Sequence, residues 1–101
     1  MGDPMCANTM LGPLADRKQF DRVVEFLKQG KKDAKLITGG DRKGGKGNFI
    51  EPTIFLDPPT NSKIYTDEIF GPVIVLKTFK TEDEAVELAN KTNYGLAGKF
   101  I

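Results

Sequence analysis

The chain contains no histidine and a single cysteine among its 101 residues. Without histidine, neither a Ser-His-Asp triad nor a Cys-His pair can form from this chain alone, and a metal site with histidine ligands is excluded. One cysteine, Cys6, permits no disulfide within the chain and no cysteine-rich zinc site, and this sparse use fits a reducing compartment. We therefore expect no metal site and few routes to covalent catalysis.

The chain also lacks a charge excess and a long apolar run. Lys and Arg number 15 against 14 Asp and Glu, which leaves a formal net charge of +1. Such a balance gives no strong field that would attract nucleic acid or an anionic membrane. No stretch approaches the roughly 18–20 apolar residues that span a bilayer. We expect a soluble chain, residues 1–101 forming one unit with a modest core, with no nucleic-acid or membrane partner.

The clearest periodic pattern predicts a helix that begins near Asp16. Its apolar stripe has the spacing i, i+3, i+4, i+7 and consists of Phe20, Val23, Val24 and Leu27. Asp16 and Gln19 suit a capping pair at its start, and Pro13 at the first helical position is the alternative. Gly30 suits the position just past the end of the helix.

Four extended segments follow from the remaining apolar runs. They are residues 34–40, stopped by two glycines, residues 49–57, residues 73–79 and residues 96–101. Pro52 has no N–H for a sheet, so residues 49–57 are predicted to be an edge strand or an irregular segment. The run of mostly β-branched residues at 73–76 predicts a central strand that is buried on both faces.

A second helix is predicted between the last two strands. Thr81 and Glu84 form the Ser/Thr-x-x-Glu pattern of a capping box at its start. The order strand, helix, strand predicts a crossover connection in an α/β layer. We therefore predict an α/β fold with two helices packed on a partly parallel sheet.

Two motifs resemble reactive sites but have simpler interpretations. The loop "GDRKGGK", residues 40–46, matches the start of a phosphate-binding loop, yet Gly47 stands where Ser or Thr must bind magnesium and no helix is predicted to follow. We interpret it as a surface loop. Cys6 has no base, cation or helix start near it in sequence, so we interpret it as an unreactive loop cysteine.

The stretch "DEIFGPV", residues 67–73, places a carboxylate and an aromatic ring just before an apolar strand. The carboxylate of Glu68 could accept hydrogen bonds from the two hydroxyls of a ribose, and the ring of Phe70 could lie against a nicotinamide. The residues alone favour a structural interpretation, in which Glu68 is exposed or caps a turn and Phe70 belongs to the core.

Several segments in order resemble the NAD(P)-dependent aldehyde dehydrogenases. These segments are "GDP", "GPLADRKQFDRVVEFLKQGKKDAKLITGG", "GNFIEPTIF" and "DEIFGPVIVLKTFKTEDEAVELANKTNYGLA", which cover nearly the whole chain. The most specific part is "EIFGPV" followed by "ANKTNYGLA" at this separation. Asp67 departs mildly from the family, which often has glutamate there, and Lys99 departs from the small and apolar residues that usually follow "YGLA".

The resemblance implies a cofactor site made of Glu68, Phe70, Gln19 and Arg22. In the family, the glutamate of "EIFGPV" binds the hydroxyls of the nicotinamide ribose and the phenylalanine positions the nicotinamide. Gln19 resembles a position that lies near the adenosine ribose in the family. Arg22 resembles a position at which the family has a basic residue with a similar role. The implied cofactor is NAD or NADP, and the implied partner is an aldehyde.

The resemblance also implies that this chain is an internal part of a longer catalytic domain. The family oxidises aldehydes to carboxylic acids through a thioester on a cysteine, and a glutamate activates the water that hydrolyses it. Neither residue has a match here, and Cys6 does not stand at the catalytic position. We therefore expect no catalytic residue in this chain and no activity from it alone. The implied compartment is the cytoplasm, with the mitochondrion as an alternative.

Two other functions remain open from the sequence. The first is a noncatalytic folding or interaction unit that associates with itself, because strands taken from a larger sheet leave edges and apolar faces exposed. The second is a module that binds nucleotide phosphates through the loop at residues 40–47. It predicts that ATP protects this loop from proteolysis.

Overall fold

The computed structural model describes residues 1–95, which form three helices and three strands. The helices are α1 (Arg17–Asp33), α2 (Lys63–Thr66) and α3 (Glu82–Ala89), and the strands are β1 (Lys35–Thr38), β2 (Thr53–Leu56) and β3 (Val73–Leu76). The predicted α/β class is confirmed. The single-turn α2 is a third helix, which was not predicted from the sequence. The strand predicted at 96–101 lies outside the described residues.

The strands form a mixed sheet in the order β1-β2-β3. β1 and β2 are antiparallel, whereas β2 and β3 are parallel and pair in register from Thr53 with Val73 to Leu56 with Leu76. The prediction of a partly parallel sheet is thus confirmed. Within residues 1–95, however, the central strand is β2, and the prediction that residues 49–57 form an edge was wrong. The strand begins directly after Pro52, so the missing N–H lies outside its hydrogen-bonded part.

The core lies between α1 and one face of the sheet. Its buried members come from α1, the segment before β2, β2 itself and α2, and are Phe20, Val23, Leu27, Ile50, Phe55 and Ile64. Gly30 belongs to this contact, because a Cβ there would lie 2.5 Å from Cζ of Phe55. The prediction that Gly30 ends the helix was therefore wrong: α1 continues to Asp33, since this glycine is used for close packing against Phe55.

The opposite face of the sheet is apolar and largely uncovered within the described residues. Successive residues of a strand point to opposite faces, so Ile54 and Leu56 of β2 share this face with their register partners Ile74 and Leu76. Ile74 is 57% exposed and Leu76 is 43% exposed. The prediction that β3 is buried on both faces therefore fails within residues 1–95.

Both long helices begin with the predicted caps. The Asp16 carboxylate accepts a hydrogen bond of 2.7 Å from the backbone N–H of Gln19, which confirms the capping pair over Pro13. At α3, the Thr81 hydroxyl accepts from the Glu84 N–H at 3.2 Å. In a capping box the glutamate carboxylate accepts from the N–H of the cap residue itself. Here the Glu84 carboxylate accepts from the N–H of Lys80, the residue before Thr81, at 2.8 Å.

Two carboxylates join elements that are distant in sequence. Asp33, at the end of α1, accepts from the hydroxyl of Ser62 and the amide of Gln29, and these hydrogen bonds lower its pKa below the ordinary 3.8. Asp57 follows β2, and its pKa is lowered below 3.8 chiefly by the backbone N–H of Thr78, which donates at 2.7 Å. Asp33 thus fixes α2 to α1, and Asp57 fixes the end of β2 to the end of β3.

Candidate functional site

The segment at residues 67–72, which we call the turn segment, connects α2 to β3. Asp67 ends α2, its N–H donating to the carbonyl of Lys63 at 2.9 Å, and Val73 begins β3. Glu68 is exposed, and Phe70 is 62% exposed. The core position that the residues alone favoured for Phe70 was therefore wrong, and the exposed position for Glu68 is confirmed. A carboxylate and an aromatic ring are both available to a ligand here.

Helix α1 brings Gln19 and Arg22 to this segment. The two residues are three apart, so they lie on one side of the helix. The side-chain amide of Gln19 donates to the carbonyl of Phe70 at 2.6 Å, and Arg22 donates to the carbonyl of Glu68 at 3.4 Å. The four residues that the resemblance named, distant in sequence, thus meet at one place in the fold.

Gly71 lets the turn segment approach α1 closely. A Cβ on Gly71 would lie 2.8 Å from Cγ2 and 3.2 Å from Cγ1 of Val23, a fully buried residue that directly follows Arg22 in sequence. Beyond the glycine, the carbonyl of Pro72 accepts from the N–H of Thr53 at 2.9 Å. The segment is therefore attached to α1 on one side and to β2 on the other.

Tyr94 is a member of this arrangement that the sequence reasoning missed. Its hydroxyl oxygen accepts a hydrogen bond of 3.2 Å from the backbone N–H of Glu68. The signal that could have identified Tyr94 is its place in "ANKTNYGLA", the second of the two most specific parts of the resemblance.

The charges around the turn segment are mixed. A groove of about 370 Å³ beside it lies between α1 and α2, and it is lined by Arg22, Glu25, Phe26, Gln29, Lys63 and Asp67. Asp67 accepts from the hydroxyl of Thr66 at 2.8 Å. Within residues 1–95, no cluster of three or more His, Cys, Asp or Glu side chains could hold a metal ion. The groove beside the turn segment therefore presents side chains of both charges.

The two other candidate sites have simple structures. The loop at residues 40–47 is closed by a bridge between Arg42 and Ile50, and by a hydrogen bond of 2.9 Å from the N–H of Lys43 to the carbonyl of Phe49. It leads to β2 and to no helix, so it lacks the helix start that holds phosphate in a phosphate-binding loop. Cys6 is exposed in the loop before α1 and is unpaired as a thiol.

The comparison with protein families decides the family. All of residues 1–101 match the Aldehyde dehydrogenase family. The chain belongs to this family. A relative from Arabidopsis thaliana, aldehyde dehydrogenase family 2 member C4, is 48% identical over the whole chain, which covers 20% of that protein. The chain thus spans about a fifth of the length of the curated aldehyde dehydrogenases that it matches.

Solved aldehyde dehydrogenases have the same fold over this segment. The NAD⁺ complex of aldehyde dehydrogenase from Bacillus cereus is 44% identical, with a TM-score of 0.83, and the match covers 91% of this chain and 19% of that one. The 1-pyrroline-5-carboxylate dehydrogenase from Thermus with bound NAD is 42% identical, with a TM-score of 0.79, over 85% of this chain and 17% of that one. Within the described residues, no helix is long and apolar enough to cross a membrane.

Proposed function

We propose that this chain is the part of a longer NAD(P)-dependent aldehyde dehydrogenase, the parent enzyme, that supports the nicotinamide end of the cofactor. The observation that carries the proposal is the turn segment. It presents an exposed carboxylate at Glu68 and an exposed ring at Phe70, while its backbone is bonded to α1. Because two relatives have been solved with NAD, we expect this cofactor to be the ligand of the turn segment.

Each side chain has a distinct part in this proposal. The Glu68 carboxylate accepts hydrogen bonds from the two ribose hydroxyls on the nicotinamide side, and the Phe70 ring lies against the nicotinamide. Gln19 and Arg22, for which the resemblance implies a part near the adenosine ribose, contact the backbone of the turn segment from α1. NAD or NADP, when bound, supplies the hydride acceptor for oxidation of an aldehyde to a carboxylic acid.

The thioester chemistry is proposed for the parent enzyme and not for these residues. Cys6 is exposed in a loop that contains no base or cation beside it in sequence, and the nucleophile and the water-activating glutamate are assigned to other parts of the parent. The chain alone is expected to oxidise no aldehyde in the presence of NAD. A measurable rate of NADH formation by the pure chain would contradict this assignment. We further propose a cytoplasmic parent enzyme, with the mitochondrion as the alternative, supported by the sparse cysteine use.

The test uses a chimera, in which this chain replaces the matching segment of the Bacillus cereus enzyme. Glu68→Gln should raise the KM for NAD roughly ten- to hundredfold, because hydrogen bonds to a charged group contribute more than neutral ones. Glu87→Gln is the matched control, since Glu87 is an exposed glutamate on α3 that pairs with Lys91 and does not line the groove beside the turn segment. Equal KM values for NAD in both variants would refute the proposed role of Glu68.

A second candidate function, a self-associating unit, rests on the uncovered sheet face. Ile74 and Leu76 are 57% and 43% exposed, and a large exposed apolar patch is usually an interaction surface. In sedimentation, the chain should then show a mass that rises with concentration. Replacing Ile74 and Leu76 by threonine should abolish that rise, whereas a monomer mass at every concentration would contradict self-association.

A further inference from the structure

The backbone of residues 68–70 is held mainly by side chains from other elements. The N–H of Glu68 donates to the Tyr94 hydroxyl at 3.2 Å, and the carbonyl of Phe70 accepts from the Gln19 amide at 2.6 Å. Arg22 adds a longer bond of 3.4 Å to the carbonyl of Glu68. The partners are 26 and 51 positions away in sequence from Glu68 and Phe70 respectively. These contacts therefore fix the segment relative to the rest of the fold.

The side chains of the same residues are left available. No hydrogen bond or ion pair joins the Glu68 carboxylate to another group among residues 1–95, and the Phe70 ring is 62% exposed. A flexible turn would have to be ordered when a ligand binds, which costs conformational entropy. A segment whose backbone is already bonded loses less entropy, so its carboxylate and ring are held ready for a ligand.

We propose that Gln19 and Tyr94 are positioning residues, which hold the turn segment so that Glu68 and Phe70 meet the cofactor in the right geometry. This inference rests on the proposed function. Gln19 acts through the carbonyl of Phe70, and Tyr94 acts through the N–H of Glu68. Gln19 is itself fixed, because the Asp16 carboxylate accepts from its backbone N–H at 2.7 Å in the first turn of α1.

The chain supplies a matched control for each residue. Tyr94→Phe removes only the hydroxyl that accepts from Glu68, and Tyr65→Phe removes a hydroxyl that donates to Leu88 at 2.7 Å. Gln19→Leu removes the donor to Phe70. Gln29→Leu removes an amide on the same helix that donates to Asp33 at 2.9 Å. The control variants lose a hydrogen bond of the same kind away from residues 68–70.

The first measurement is amide hydrogen exchange in the full chain. Tyr94→Phe should speed exchange at the Glu68 amide roughly two- to tenfold, as expected for the loss of one hydrogen bond. Gln19→Leu should shift the amide resonances of residues 69–71, whereas Tyr65→Phe and Gln29→Leu should leave residues 68–71 unchanged. A Glu68 amide without protection in the unaltered chain, or equal exchange in all variants, would overturn the proposal.

The second measurement separates positioning from general stability. In the chimera, Gln19→Leu and Tyr94→Phe should each raise the KM for NAD roughly two- to tenfold while the KM for the aldehyde stays constant. If Glu68→Gln raises the KM for NAD but both positioning variants leave it unchanged, positioning is refuted and the cofactor role of Glu68 stands. If Glu68→Gln has no effect, the proposed function itself fails.

Discussion

Gly71 is a residue at which the turn segment packs closely against α1. Gly71→Ala should destabilise the chain by about 1–3 kcal/mol, because its Cβ would lie 2.8 Å from Cγ2 of the fully buried Val23. Gly45→Ala is the matched control, since a Cβ at Gly45 would meet nothing within 4 Å. Urea unfolding followed by circular dichroism gives both values. Equal free energies of unfolding for the two variants would show that the close approach is not a constraint.

The sequence named residues for the candidate site but did not give their surroundings. The resemblance names Glu68 and Phe70, whereas the residues alone favoured a core position for Phe70, which is 62% exposed. An apolar residue beside a strand has the same sequence pattern whether it faces the core or a ligand. Tyr94 was missed because its contact with the N–H of Glu68 depends on tertiary structure that no local pattern encodes.

At the scale of elements, the start of α1 depends on one cap. Asp16→Ala should lower the free energy of unfolding by about 1 kcal/mol, because it removes the acceptor for the N–H of Gln19. Asp16→Asn should retain most of the stability, since asparagine is an equally good cap. Thermal unfolding of the three chains tests this. A loss in Asp16→Asn as large as that in Asp16→Ala would contradict the capping role.

The contact of α1 with β2 gives a prediction in which two effects oppose each other. Gly30→Ala should favour the helix by up to about 1 kcal/mol through propensity. The new Cβ would lie 2.5 Å from Cζ of the buried Phe55, however, and overpacking costs about 1–3 kcal/mol. We expect net destabilisation in urea unfolding. A more stable Gly30→Ala variant would show that Phe55 moves aside without cost.

Short-range sequence patterns predicted the helix starts correctly, but they did not predict features that depend on tertiary packing. Both capping patterns were correct because an N-cap bond joins residues only three apart. The rules that predicted a helix end at Gly30 and an edge strand at Pro52 are statistical, and both predictions were wrong here. In this fold Gly30 packs on Phe55, and β2 begins one residue after Pro52.

For the whole molecule, stability should depend on pH through Asp33 and Asp57. The pKa of each is lowered in the folded chain, by hydrogen bonds from Ser62 and Gln29 to Asp33 and chiefly from Thr78 to Asp57. A lowered folded pKa favours the folded state above the unfolded value of about 3.9, and this contribution is lost as the pH falls through the folded pKa.

The free energy of unfolding in urea should therefore be nearly constant between about pH 7 and 5 and should fall below about pH 4. In the double variant Asp33→Asn, Asp57→Asn, the free energy of unfolding should decrease less below about pH 4 than it does in the unaltered chain. An identical pH profile for the double variant and the unaltered chain would show that these two carboxylates do not cause it.

The arrangement of the sheet was the least predictable feature of the whole molecule. Apolar, β-branched runs predicted the strands, and the α/β class followed from their order. The sequence of β3 predicted burial on both faces, but Ile74 and Leu76 are exposed within residues 1–95. A run of this kind is typical of a strand covered on both faces, but it does not encode which elements supply the cover.

The crystal structure of the chimera with NAD tests the central claim most directly. The account predicts that the Glu68 carboxylate lies within about 2.6–3.2 Å of both hydroxyls of the nicotinamide ribose, with the Phe70 ring against the nicotinamide. The amide of Gln19 and the hydroxyl of Tyr94 should still contact the backbone of residues 68–70. An ordered nicotinamide ribose that makes no contact with Glu68 would contradict the account.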